Sequence, residues 1–290
     1  MHFVQAKAIL SPKNGMNLYR GCTHGCIYCD SRSLCYNMPH KFEDIEIKEN
    51  AIELLEAALK RKRHKCMLAT GSMTDPYLPL ESQLGYMHKA LELTLKYGFG
   101  FTLITKSSLV LRDIELLREI NRRTKCVVQM TLTTLEPELC AKLEPNVSST
   151  QERFETLQKL NQAGIPTVVW LCPILPFIND TPQNISGILD YCAQAGAYGV
   201  ICFGMGTTMR PGSREYFYKQ LDKLFPGMKE KYMGAFQSSY HAVSPHNAAL
   251  MRLFHEKCEK YGLVHDNQRI FEYLSEFEDK TAGKQLTFWE

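Results

Sequence analysis

The chain has 290 residues, is 44% hydrophobic and 22% charged, and carries a formal net charge of +3. This length suits one large domain or one domain with a modest extension, and it can bury a core without staples. So small a charge excludes any argument for nucleic acid from charge alone, and no apolar run reaches the roughly 18 residues of a membrane helix. The start, Met1-His-Phe-Val-Gln-Ala-Lys7, lacks the apolar centre of a signal peptide. A cytoplasmic protein with no membrane partner is expected. The eleven cysteines are odd in number and lie mostly in apolar runs, which reads as reduced thiols and not as a disulfide framework.

In chain order, the first predicted strand ends at Gly21-Cys-Thr-His-Gly-Cys-Ile-Tyr-Cys29. Three thiolates at this spacing on one loop can hold three irons of a cubane cluster and leave the fourth open for a substrate or cofactor. A small zinc loop completed by Cys35, His24 or His40 is the alternative on the residues alone. The basic run at residues 60–65 follows an amphipathic segment and reads as a solvated helix end. The second strand is Cys66–Thr70, followed by a helix with Leu84, Met87, Leu91 and Leu95 on one face. The third is Phe99–Thr105, with a helix around Ile114, Leu117 and Ile120. The fourth is Cys126–Leu132, with a helix carrying Phe154, Leu157 and Leu160. The fifth, Thr167–Cys172, precedes a helix that opens at Thr181-Pro182, an N-cap with proline at the first helical position. The sixth is Gly199–Phe203.

These continuous apolar strands alternate with helices, as in a parallel sheet buried on both faces. The alternation covers roughly 210 residues against about 250 for a full eight-unit barrel. The expected fold is therefore α/β: a partial (β/α)6 TIM-like barrel over residues 1–225 with a C-terminal helical extension, residues 226–290, packed on it. Phe225-Pro-Gly227 marks the break, helices are expected near 246–261 and 267–278, and a polar tail ends in Leu286-Thr-Phe-Trp-Glu290.

Barrel enzymes work at the C-terminal ends of their strands, and the cysteine loop falls on that rim. The same rim carries Thr74 and Asp75 after the second strand, Lys106 and Ser107 after the third, and Thr131 and Thr133 at the end of the fourth. Strand alternation puts Gln129, Thr131 and Thr133 on one face and Met130 and Leu132 on the other. Glu144, with Arg153 at the head of the next helix, is either a binding pair or a structural salt bridge. Cys172 and Cys202, late in strands five and six, are hydrogen-donor candidates or small core residues.

The C-x-x-x-C-x-x-C motif with an aromatic before its last cysteine resembles the radical S-adenosylmethionine (SAM) superfamily. Gly21–Cys29, Thr74-Asp75-Pro76-Tyr77 with Pro79 and Glu81, Ile104–Ser107 and Leu143-Glu-Pro145 together resemble its spore-photoproduct-lyase-like group, from about residue 5 to 225. The resemblance implies that Cys22, Cys26 and Cys29 ligate a [4Fe–4S] cluster. It also implies that Thr74, Asp75, Lys106 and the Thr131 region hold SAM, with Tyr28 near the adenine, while Arg153 is a cofactor-binding candidate from its place near the rim. Two departures argue against thymine-dimer repair. Gly71-Ser-Met-Thr74 lacks the cysteine of the lyase proper, and Asp30 stands where that lyase carries a tyrosine.

The implied function is an enzyme that cleaves SAM reductively to a 5′-deoxyadenosyl radical, which abstracts hydrogen from an unidentified substrate. An electron donor such as flavodoxin or ferredoxin is the implied partner. Repair or modification of nucleic acid by the same chemistry is one alternative, and a zinc-binding or redox-sensing interaction module is another. The remaining cysteines form no second clustered set that would hold an auxiliary cluster.

Overall fold

The computed structural model describes residues 1–281, so the expected tail at Leu286–Glu290 lies outside the described residues. Its strands in chain order are β1 (His2–Val4), β2 (Gly15–Met16), β3 (Tyr19–Arg20), β4 (Glu46–Lys48), β5 (Met67–Thr70), β6 (Gly100–Thr105), β7 (Cys126–Thr131), β8 (Thr167–Trp170), β9 (Gly199–Ile201), β10 (Gly206–Thr208) and β11 (His241–Val243). The helices are α1 (Ala51–Arg61), α2 (Glu81–Leu84), α3 (Tyr86–Lys96), α4 (Ile114–Arg123), α5 (Pro137–Leu143), α6 (Thr150–Gln162), α7 (Pro182–Gln194), α8 (Ser213–Leu224), α9 (Met228–Phe236), α10 (Asn247–Tyr261) and α11 (Asn267–Ser275).

Six parallel strands form one sheet in the order β2-β5-β6-β7-β8-β9. This is the partial (β/α)6 barrel. Every residue of β7 is buried, as are the apolar residues Phe101 and Leu103 of β6, because helices cover the outside and side chains fill the inside. Met130 and Leu132 join the helix-packed core. Gln129 points the other way, bonding Thr102 Oγ1 at 2.8 Å and accepting from Trp170 Nε1 at 2.8 Å. The expected alternation therefore holds.

The helices start where local chemistry satisfies their free amides. Ser149 and Glu152 form a reciprocal capping box on α6. Thr181 caps α7 with Pro182 in its first turn. Lys60, Arg61, Arg63, His64 and Lys65 are all exposed at and beyond the end of α1, as a solvated helix end requires.

The first barrel strand differs from expectation. The strand next to the cysteine loop, β3, pairs with β4 in a separate sheet of order β1-β4-β3. The barrel instead begins at β2, whose Gly15 is in register with Ala69. Leu18 and Tyr19 are buried, so the apolar signal was real, but it serves the small sheet.

Past Leu224 the chain is not purely helical. Strand β11 returns to pair antiparallel with β10, placing Thr207 opposite Ala242. Helix α10 packs on α7. The segment after α10 shields the free edge of β9, with Val200 N donating to Val264 O at 2.8 Å and Val264 N to Tyr198 O at 3.1 Å. Covering an open strand edge removes a template for unwanted pairing.

Gly71, just past β5, has φ +97°, and a Cβ there would sit 2.1 Å from the Ile104 carbonyl oxygen. Only glycine lets the two strand ends approach this closely. We predict that Gly71→Ala destabilises the fold by at least about 2 kcal/mol, read by urea denaturation. Wild-type stability in that variant would mean that the close approach is not required.

Candidate active site

The cysteine loop is docked on both sides by backbone hydrogen bonds. Cys22 N donates to Phe42 O at 2.9 Å and Ile27 N to Leu143 O at 3.0 Å, while His24 O accepts from Asn146 N at 3.1 Å. Gly21 has φ +91°, and a Cβ there would meet the Phe42 carbonyl oxygen at 2.5 Å. The sequence therefore presents three free cysteines on a rigid loop at the barrel rim.

Beneath the loop lies a buried ion pair. Arg153 is fully buried and places Nη2 2.5 Å from Glu144 Oε2. The same guanidinium donates through Nη1 to the carbonyl of Thr131 at 2.8 Å. The hydroxyl of Tyr28 donates to Glu144 Oε1. A continuous chain of contacts thus runs from the cysteine loop through α5 and α6 to the end of β7. Burial pushes the Glu144 carboxyl up, but Arg153, Lys106 and the Tyr28 hydroxyl outweigh it and hold it below the ordinary range.

A second knot ties the rim loops together. Asp75 Oδ1 accepts from Tyr77 N at 2.8 Å and from Thr105 Oγ1 at 2.7 Å. Its Oδ2 accepts from Lys106 N at 2.8 Å and lies 3.5 Å from His24 Nδ1. Both carboxylate oxygens are therefore occupied by protein donors.

A cavity of about 820 Å³ opens at the C-terminal ends of the strands. Cys22, Cys26, Cys29, Tyr28, Asp75, Lys106 and Thr131 all line it, so seven of the residues marked from sequence share one wall. Thr74 and Arg153 do not line it. Thr74 is buried behind the loop, and Arg153 spends its donors on Thr131, Cys140 and Glu144. Of the two readings of Glu144 and Arg153, the structural salt bridge is the one observed. Thr133 is buried too, its carbonyl taken by Asn179 and Asn184. Cys172 lines the cavity, whereas Cys202 packs against Met251.

Sequence reasoning missed much of the rest of the lining, which includes Trp170, Phe203, Met205, Thr208 and His241, with Thr208 Oγ1 donating to Asp30 Oδ1 at 3.0 Å beside the last cysteine. The Gly204 and Gly206 pair after β9 was the one available signal that the chain turns back across the mouth there.

The donor set fits an iron–sulfur cluster. Burial pushes the Cys22 thiol up to about 12 and Cys26 well above its usual value, so neither ionises readily until a cation takes the proton's place. Lys106 supplies positive charge beside them, since Cys26 and Glu144 raise its ammonium against the opposing effect of burial. That ammonium makes no hydrogen bond among the described residues and lies 5.8 Å from the Tyr28 ring centroid.

A parallel (β/α)6 barrel with three cysteines on the loop at its mouth defines a cofactor enzyme of the rim type. The model of the radical SAM superfamily matches residues 16–185, and the chain belongs to that superfamily. Its members are enzymes that use a [4Fe–4S] cluster and SAM. An uncharacterized protein of Mycobacterium tuberculosis is 27% identical over 259 residues, covering 87% of this chain and 76% of its own. A radical SAM Nalpha-GlyT isomerase of Pseudomonas phage M6 is 26% identical over 180 residues, covering 62% of this chain and 36% of its own. Among solved structures, spore photoproduct lyase matches with a TM-score of 0.66 at 15% identity, over 91% of this chain and 79% of that one. A variant of that lyase solved with AdoMet and a dinucleoside spore photoproduct gives 0.59 at 12% identity, over 86% and 73%. At these identities the likeness is one of fold. No helix among the described residues is long and apolar enough to cross a membrane.

Removing one partner of a buried ion pair leaves the other charge uncompensated. We predict that Arg153→Met costs about 3–5 kcal/mol near neutral pH, read by chemical denaturation. A carboxyl held low in the fold stabilises above its unfolded value, about 4.3, and that contribution is lost as pH falls through the lower folded value. The gap between wild type and variant should therefore narrow in acid, and a gap that widened there would contradict this.

Proposed function

We propose that Cys22, Cys26 and Cys29 hold the [4Fe–4S] cluster and that SAM occupies the cavity beside them, poised to act on a substrate bound at the mouth. The observation that carries this reading is that the three thiols, Lys106 and Thr131 share one wall of one large cavity at the strand C-termini. When bound and reduced by a flavodoxin- or ferredoxin-type donor, the cluster supplies one electron that breaks the C5′–S bond of SAM and frees a 5′-deoxyadenosyl radical to take hydrogen from the substrate.

The chain's own residues supply binding and orientation. Lys106 offers an unpaired ammonium to the SAM carboxylate. Thr131 presents its side chain to the ribose side of the cavity, and Tyr28 presents a ring whose hydroxyl is tethered to Glu144. Asp75 serves as a positioning residue, because its oxygens already bind Thr105, Tyr77 and Lys106. Thr74 and Arg153 act the same way, from behind the wall. Residues 1–225 form the catalytic core in this reading, and residues 226–290 form an extension that adds β11 to the mouth.

The substrate is unassigned. A planar, ring-bearing substrate, including a nucleobase, is favoured by Phe203, which is 64% exposed beside Trp170 at the mouth. Against a phosphate-guided approach, Lys106 is the one lysine or arginine lining the cavity among the described residues.

Anaerobic reconstitution with iron and sulfide, reduction, and addition of SAM should yield 5′-deoxyadenosine by chromatography. The triple variant Cys22→Ala/Cys26→Ala/Cys29→Ala should yield none. Zinc bound at these cysteines with no cluster formed would favour the interaction-module reading instead. We further predict that Lys106→Met weakens SAM binding at least about tenfold in equilibrium dialysis while leaving iron content unchanged. Unchanged affinity would remove Lys106 from the SAM site.

A further inference from the structure

Away from the cavity, His2, His40 and Glu46 converge where β1 meets β4. His2 and Glu46 are register partners across the two strands. One ligand atom from each of the three residues lies within 4.8 Å of the others, and all three side chains are partly buried. His40, which the sequence offered as a fourth ligand for the cysteine loop, belongs to this group instead.

The outer contacts of the two rings settle which nitrogens are available. His2 Nδ1 lies 3.1 Å from Asp44 Oδ2, and His40 Nδ1 lies 3.0 Å from the carbonyl oxygen of Lys41. A ring that donates from Nδ1 carries its lone pair on Nε2. A carboxylate or carbonyl behind the imidazole is the arrangement that orients metal-binding histidines. For His40 the Nε2 lone pair then meets Glu46 Oε2 at 3.4 Å. Two acceptors at that distance require a cation between them, either a proton or a metal ion. Metal bonds of about 2.0–2.1 Å in a tetrahedron give a ligand–ligand edge of roughly 3.4 Å. His2 offers its ligand atom within 4.8 Å of the other two, and at 39% side-chain exposure its ring has room to adjust into the third position.

We infer that His2, His40 and Glu46 bind one divalent transition cation of zinc's class, with water in the fourth position on the exposed side. The ligands are nitrogen and oxygen, and none of them lines the cavity, so the site stands apart from the cysteine loop. Its place in the fold gives it a purpose. The cation fastens β1 to residues 40–46, the segment whose Phe42 carbonyl accepts the Cys22 amide at 2.9 Å.

The test uses the full chain with its cluster reconstituted, dialysed against Zn²⁺, with zinc and iron counted together and the zinc shell read by X-ray absorption. The expected result is one zinc per chain in a nitrogen and oxygen shell without sulfur, with a thermal midpoint that rises on zinc addition. His40→Ala should lose the zinc while keeping its iron content and circular dichroism, and Glu46→Gln should bind at least about tenfold more weakly. Should His40→Ala fail to fold, His2→Ala removes a partly exposed ring and should lose the zinc equally. A chain that takes up no zinc, as a proton-bridged His40–Glu46 pair would give, overturns the inference. So does zinc in a sulfur shell, or zinc retained by the folded histidine variants. Because the readout is zinc, failure here leaves the cluster assignment untouched.

Discussion

The site rests on one buried ion pair. Glu144 follows the end of α5 and Arg153 lies on α6, yet the contacts they make reach Tyr28 in the cysteine loop and the Thr131 carbonyl at the end of β7. Buried charges are costly unless paired and hydrogen-bonded. Here the cost fixes geometry: the cysteine loop is linked to a sheet strand through buried, hydrogen-bonded charges. A shift of the loop would take the Tyr28 hydroxyl away from the buried Glu144 carboxylate. Residues outside the cavity lining, Glu144 and Arg153, thus help to position those that line it.

Asp75 repeats this logic on the neighbouring side. Its carboxylate gathers donors from its own loop and from the end of β6, and His24 of the cysteine loop stands against it. Together the two anionic hubs, Glu144 and Asp75, set the positions of the cysteines, Lys106 and Thr131. Preorganisation of this kind is what lets a cofactor site stay formed while substrates come and go.

How much of this was legible depended on the reach of each signal. The cysteine spacing and the apolar strands are local patterns, and they identified the loop, five of the six barrel strands and the main helices. The first barrel strand escaped because β2 is only two residues long, and its pairing with β5 spans more than 50 positions of sequence. Glu144 and Arg153 were visible as a charged pair, but whether they face a ligand or each other depends on tertiary burial. Asp75 looked like a free acceptor because its donors, Thr105 and the Lys106 amide, come from another strand. Strand β11 is short and polar-flanked, so nothing local announced that it would cross the mouth.

The β10–β11 pair, joined through α8 and α9, gives the cavity a lining of a second character. The cysteine wall is built on interlocked charges and glycine-only turns, where almost any change propagates to the loop. The β10–β11 part of the lining is held mainly by backbone pairing and by the Thr208 hydroxyl on Asp30, with exposed side chains such as Val243 and, nearby, Phe203. Backbone pairing is indifferent to which side chains it presents. A change of side chain on β11 therefore alters what the mouth presents while leaving the backbone hydrogen bonds of the cysteine loop in place.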